Sequence, residues 1–237
     1  MPVSSRIVTT DTSKSTLAAG AYTLPDAARL LNLPLPRLRT WVSGSLEAES
    51  NVSARRYPAG RLSSKGAGRD RTFSFLTLIE LFSIAQLRAR GVSMGTLRTA
   101  RTELAERYQT PHPFALEGLL TDGRKLLKEL GDASLLELCA GGQTSFASVI
   151  VPFCHRLDFD ANTRLATRFF LNGRTSIVVV DPHHSFGRPT IDGTNITTEA
   201  IASLIRGGEK IADVAADFRL DPSKIEEAWG FEVRLAA

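Results

Sequence analysis

The chain has 237 residues, 43% hydrophobic and 23% charged, which is enough for two modest domains of an ordinary soluble type. No apolar run approaches the roughly 18–20 residues of a membrane span, and with only Cys139 and Cys154 a disulfide framework is excluded and a reducing compartment, the cytoplasm, is expected. The net charge of +4 divides unevenly, 16 basic against 8 acidic side chains in residues 1–110 and 13 against 17 in residues 111–237.

A chain basic at one end and acidic at the other offers its two halves to different partners. The basic half suits phosphates, whose neutralisation releases counterions. Residues 1–20 are rich in Ser and Thr with no periodic apolar signal. They predict a flexible arm, and they lack the continuous apolar core of a signal peptide. From Tyr22 the pattern changes. Thr23 is placed to cap a helix holding Ala27, Ala28, Leu30 and Leu31; Asn32-Leu33 makes a tight turn; Pro34 marks the start of a second helix through Leu35, Leu38, Trp41 and Val42. Arg37 and Arg39 fall on the other faces of that second helix, while Trp41 reads as a core residue. Two short helices joined by a brief turn, with arginines at the head of the second, are the sequence form of a helix-turn-helix.

Between Ser43 and Arg71 periodicity gives way to Gly, Ser and Arg. From Arg37 to Arg71 there are eight basic residues (Arg37, Arg39, Arg55, Arg56, Arg61, Lys65, Arg69 and Arg71) against three acidic ones. A basic loop beside a recognition helix suits the sugar–phosphate backbone or a minor groove, so all eight are candidate DNA-binding residues. Phe73-Ser74-Phe75-Leu76 then opens a helix read as amphipathic, with Phe75, Leu78, Ile79, Phe82 and Ala85 on its apolar face and Arg90-Gly91 at its end. A further helix after Ser93 carries Leu97, Ala100, Leu104 and Tyr108.

This order, with its LPRLRTWV helix and the pair FSFLTLIELFSIAQLRARGVSMGTL, resembles the DNA-binding domain of MerR-type regulators over residues 22–107. The resemblance implies a winged helix-turn-helix over residues 21–110. In it, Arg37 and Arg39 would face the major groove or its phosphates, and Arg55, Arg56, Arg69 and Arg71 would serve the wing. The chain departs from the family at LRTWVSG, where TLRYYE is usual, and in its longer wing, which leaves the base contacts open. Regulators of that type usually sense a metal or small molecule, and nothing in this sequence supplies such a site.

Residues 111–187 predict a small central β-sheet linking two helical regions. Asp122-Gly123 is a hairpin signal, Phe146–Phe153 is rich in β-formers, Asn172-Gly173 is a turn, and Ser176–Val180 is the clearest strand. From 188 to 237 three short helices are expected. Asp192-Gly193 makes a turn, and Thr197 or Thr198 caps a helix with Ile201, Leu204 and Ile205 on one face. Gly207-Gly208 stops it, and a second helix places Ile211, Val214, Ala215 and Phe218 on one face. Asp221 and Pro222 open a third, which buries Ile225, Ala228 and Trp229.

The run GTNITTEAIASLIRGGEKIADVAADFRLDPSKIEEAW, with its lead-in IVVVDPHHSFGRPTIDGT, resembles a small uncharacterised domain carried by VapB-type antitoxins, found beside PIN-like ribonuclease toxins. The three helices are homeodomain-like in layout. Yet residues 197–237 carry eight acidic groups against five basic ones, a surface that repels a DNA backbone, so contact with a protein or self-association is the better reading.

Enzyme sites fail on inspection. His183-His184 and Cys154-His155 have no partners at metal-ligand spacing, no nucleophile elbow surrounds a serine, and Gly141-Gly142 lacks the Lys-Ser/Thr of a phosphate loop. The sequence therefore predicts an α+β protein, mainly α, that is not an enzyme and needs no cofactor. The combined resemblance implies an antitoxin that represses its own operon as a dimer on operator DNA and inhibits a PIN-like ribonuclease toxin whose acidic, Mg²⁺-dependent site lies in the toxin. An arginine inserted among those carboxylates is one physical route to inhibition. Arg234, Arg174 and Arg188 are the candidates, with Trp229 and Phe231 as apolar toxin contacts. The alternatives are a stand-alone MerR-like regulator that senses a small molecule, and a scaffold with no role on DNA.

Overall fold

In the computed structural model the residues described are 22–43, 64–65, 72–89, 91–117 and 155–236. Helix α1 (Leu24–Leu30) starts where the sequence marks it. The Thr23 hydroxyl accepts the Asp26 amide (3.3 Å), and the Asp26 carboxylate accepts the Thr23 amide (3.0 Å), a reciprocal capping box. Asn32 turns the chain in a left-handed conformation (φ 51°), and α2 (Leu35–Ser43) follows. One face of α2 buries Leu38, Trp41 and Val42.

Strands β1 (Tyr22–Thr23), β2 (Ser64–Lys65) and β3 (Thr72–Phe73) form a three-stranded antiparallel sheet in the order β1-β3-β2. Next come α3 (Phe75–Arg88) and α4 (Met94–Tyr108), each opened by a serine whose hydroxyl accepts an amide three residues on, Ser74 from Thr77 (3.2 Å) and Ser93 from Thr96 (3.0 Å).

The expectation of an amphipathic α3 is overturned. From Phe75 to Leu87 every residue except Leu76 and Gln86 is buried, because the 3₁₀ turn Pro113–Ala115 and a second sheet also pack against this helix. The burial includes Glu80, which is fully enclosed. Arg101 on α4 grips it through Nε and Nη2, both 3.0 Å away, and also donates to the Pro111 carbonyl (2.6 Å). His112 lies 3.1 Å from the same carboxylate. Burial alone pushes the Glu80 carboxyl up, but the Arg101 charge and the His112 contact outweigh it and hold it below the ordinary glutamate range.

The second sheet is an antiparallel meander, β4 (Leu157–Phe159), β5 (Ala166–Phe170), β6 (Val178–Val180) and β7 (Pro189–Ile191), in that spatial order. Its inner face meets α3, where the Phe82 and Phe169 rings sit 4.7 Å apart and tilted by 45°. The segments around Asp122-Gly123 and Phe146–Phe153 lie outside the described residues.

Helices α5 (Thr198–Arg206), α6 (Ile211–Phe218) and α7 (Pro222–Ala236) close the chain. Thr197 caps α5 by accepting the Ala200 amide (3.2 Å), and Gly208, at φ 100°, takes the left-handed position that ends it. The Asp221 carboxylate accepts the Ser223 amide (2.8 Å) at the start of α7. Ile191, Ile201, Val214, Ala215, Ile225 and Ala228 make a small core of their own, whereas Phe231 of α7 reaches the larger core shared by the amino-terminal helices and the sheet. The result is a mixed fold, mainly helical, with small antiparallel sheets.

Replacing Arg101 by Ala leaves a carboxylate buried without its main partner and should cost about 3–5 kcal/mol in urea unfolding at neutral pH. Because the folded Glu80 pKa is depressed, its contribution is complete above the ordinary glutamate value (about 4.3) and is lost as pH falls through the lower folded value. In Glu80→Gln that acid-limb fall in the urea midpoint should flatten.

Candidate functional site

The described residues that the sequence points to lie on α2, in β2, on the meander and the turn after β6, and on α7. On α2, burial of Leu38, Trp41 and Val42 turns Arg37 and Arg39 outward, and both are exposed. Neither has a side-chain partner among the described residues. Lys65 lies in β2, its backbone paired with Thr72. Arg55, Arg56, Arg61, Arg69 and Arg71 fall outside the described residues, so their placement beside α2 is not part of the observed geometry.

Another surface is built by the meander and the turn after β6. Arg168 on β5 is a hub: its guanidinium pairs with Asp158 (3.3 Å), Asp181 (3.6 Å) and Asp192, joining β4, the β6 end and the turn after β7. Arg174 is tied down as well. It donates to the His155 carbonyl (2.6 Å) and the Leu157 carbonyl (2.8 Å), pairs with Asp158 (2.6 Å), and lies over the Phe170 ring (4.5 Å). Such an arginine holds a loop to a strand and is poorly placed to reach into another protein.

Arg188 and Arg234 differ from it. Both are exposed, and neither side chain has a partner among the described residues. Trp229 is half-buried with the Arg206 guanidinium 5.7 Å above its ring. Phe231 is only 3% exposed and packs in the larger core, so it is unavailable as a surface contact in this conformation. The acidic character expected of residues 197–237 is also partly internal. Glu232 is buried and accepts the Thr198 hydroxyl, and Glu227 accepts the Ser176 hydroxyl (2.7 Å) and the Ile177 amide (3.0 Å).

Within the turn Asp181–Arg188 the sequence points to His183, His184 and Arg188 but not to Phe186. Asp181, itself buried, accepts the His183 amide (2.8 Å). His184 Nδ1 lies 2.6 Å from Asn195 Oδ1, and the Ser185 hydroxyl donates to the Asn195 carbonyl (2.8 Å). Across 165 residues of sequence, the Tyr22 hydroxyl donates to the Gly187 carbonyl (2.7 Å). Burial first, then the Asp181 and Asp26 charges, push the Tyr22 phenol far above its ordinary range, so it remains a neutral donor. At the apex of this pinned turn stands Phe186, 77% exposed. The signal available in the sequence was a lone aromatic in a stretch of Pro, His, Ser and Gly.

Among the described residues no group of three or more His, Cys, Asp or Glu is arranged to hold a metal ion, and no helix is long and apolar enough to cross a membrane.

Residues 178–231, the last two strands and the helices up to Phe231, match a family described as "Protein of unknown function (DUF433)". Over nearly its full length the chain is similar to "Putative antitoxin VapB45" of Mycobacterium tuberculosis (strain ATCC 25618 / H37Rv), 26% identical over 220 residues, which cover 87% of this chain and 91% of that protein. It shares its fold with the crystal structure of Rv2018 from Mycobacterium tuberculosis, with a TM-score of 0.67 and 23% identity across 87% of this chain and 95% of the other.

Alanine at Arg174 should lower stability by about 1–2 kcal/mol, since two carbonyls lose a charged donor. Alanine at Arg188 should change it by less than about 0.5 kcal/mol. Thermal melts of the two variants, compared at one pH, check the distinction.

Proposed function

We propose that this chain is the antitoxin of a type II toxin–antitoxin system, which binds and inhibits a PIN-like ribonuclease and represses its own operon. The observation that carries this reading is the end-to-end similarity to a protein whose name describes an antitoxin, spanning both the amino-terminal helices and the carboxy-terminal module. A match confined to residues 178–231 would have said nothing about a role.

The division of surfaces supports the same reading. The paired short helices α1 and α2, with the small sheet β1-β3-β2 and α3, would serve as a MerR-like winged helix-turn-helix. The outward Arg37 and Arg39 would meet phosphates or base edges, and a homodimer would present two such helices to a palindromic operator. The basic residues between α2 and β3 would add backbone contacts and steepen the salt dependence. The carboxy-terminal module, acidic on balance, would take the toxin. Of Arg174, Arg188 and Arg234, the last two have no side-chain partner among the described residues and could pair with its carboxylates, while Arg174 is already engaged. The protein would act in the cytoplasm as a binding protein without catalytic residues or cofactor.

Expression of the adjacent gene's product alone should arrest growth, and co-expression of this chain should restore it. Growth arrest that persists with the chain present, or no arrest at all, would overturn the proposal. On the DNA side, Arg37→Ala with Arg39→Ala should weaken binding to the chain's own promoter by about tenfold or more and lower the slope of affinity against salt concentration. Mobility shifts at two or more salt concentrations measure both quantities.

A further inference from the structure

The turn Asp181–Arg188 carries two features that packing does not explain. Among the described residues Phe186 is the most exposed of the large apolar side chains, at 77%, beside Val233 at 47% and Leu204 at 37%. It is also held in a left-handed backbone conformation (φ 57°), directly after Ser185 at φ 46° and before Gly187 at φ 76°. A bulky residue at positive φ is strained, and a solvated aromatic ring gains nothing in return from the fold. The turn is nevertheless fixed from four sides, by the buried Asp181, the two bonds to Asn195 and the Tyr22 hydroxyl. An aromatic side chain displayed on a backbone already immobilised loses little entropy on binding, which is the physical character of an interface anchor.

We infer that Phe186 is the anchor by which this chain docks on its toxin, entering an apolar pocket whose rim carries carboxylates that pair with Arg188. This rests on the antitoxin reading and adds to it the contact residue and the chemistry of the opposing surface. Charge decides the occupant. The one carboxylate within the turn, Asp181, is buried and paired with Arg168. The exposed polar residues of the turn itself are Arg188 and His183, with His184 half-exposed and the exposed Asn195 bonded to it. A second copy of the chain seated symmetrically would bring Arg188 towards its twin, a like-charge contact, whereas an acidic rim on a different protein complements it.

The strain also supplies a clean variant. Asn tolerates the left-handed conformation better than Phe, so Phe186→Asn removes the ring without disturbing the turn, and its thermal midpoint should equal or exceed the parent's. The experiment is titration calorimetry of the full-length chain with the purified product of the adjacent gene, with light scattering of the chain alone. Parent binding, with affinity lost on the order of thirty-fold in Phe186→Asn and at least about tenfold in Arg188→Glu, is the expected result. Equal affinity in all three overturns the docking assignment and leaves the antitoxin reading standing. Altered self-association of Phe186→Asn with unchanged toxin affinity also overturns it, because the occupant is then a second copy. A parent chain that binds no toxin removes the antitoxin reading and this inference with it.

Discussion

The Glu80 carboxylate, wholly withdrawn from solvent in the middle of α3, would destabilise the fold by several kcal/mol if it stood alone. Arg101 answers it with two parallel bonds, and His112 closes the remaining side. This cluster lashes α4 and the chain after it to α3, so the opposite faces of α3 are free to meet the three-stranded sheet region and, through Phe82 on Phe169, the meander. Arg156 sits beside that ring pair, 5.0 Å from Phe82 and 5.3 Å from Phe169, and donates to the Phe170 carbonyl, fastening the strand end to the helix. Burial lowers the pKa of this guanidinium from its ordinary value. A helix enclosed on nearly every face is the axle on which the two ends of the molecule are mounted.

That arrangement has a functional consequence. A basic amino-terminal half and an acidic carboxy-terminal half could have been two beads on a string, yet they share a core. Phe231 of α7 packs with residues of α3 and the meander, and Tyr22, next to the cap of α1, holds the carbonyl of Gly187 beside Phe186. The helix that bears Arg37 and Arg39 and the turn that bears Phe186 and Arg188 are therefore parts of one packed body. Under the proposed function, the surface offered to DNA and the surface offered to the toxin are held in fixed relation, and Tyr22 is a polar link between them.

Features governed by nearest neighbours in the sequence were legible. Thr23, Thr197, Gly208 and Asp221 act through residues two to four positions away, so α1, α5 and α7 could be placed from the sequence. Trp41 was read as a core residue on the same kind of spacing, and it is one. Long-range packing was not legible. The apolar spacing of α3 marks one buried face, but it gives no sign that Thr77, Glu80 and Ser83 are also enclosed once the 3₁₀ turn and the meander pack against the helix. Glu227 and Glu232 were counted towards an acidic surface because a carboxylate on a helix usually faces water, and their partners Ser176 and Thr198 lie 51 and 34 residues away. Arg174 is expected to reach the toxin's carboxylates and Phe231 to be an apolar toxin contact; the fold uses the first as a strap and the second in its core. Phe186 gave the reverse case, an aromatic residue in a turn whose exposure only the three-dimensional arrangement reveals.

The central claim is inhibition of a nuclease by direct binding, and the most direct measurement is a titration of the purified neighbouring gene product, assayed for RNA cleavage, with rising amounts of this chain. Cleavage should fall to background at a fixed ratio of chain to nuclease and return when the chain is digested away. Cleavage that continues unchanged at saturating chain, or a neighbour with no nuclease activity in isolation, would contradict it.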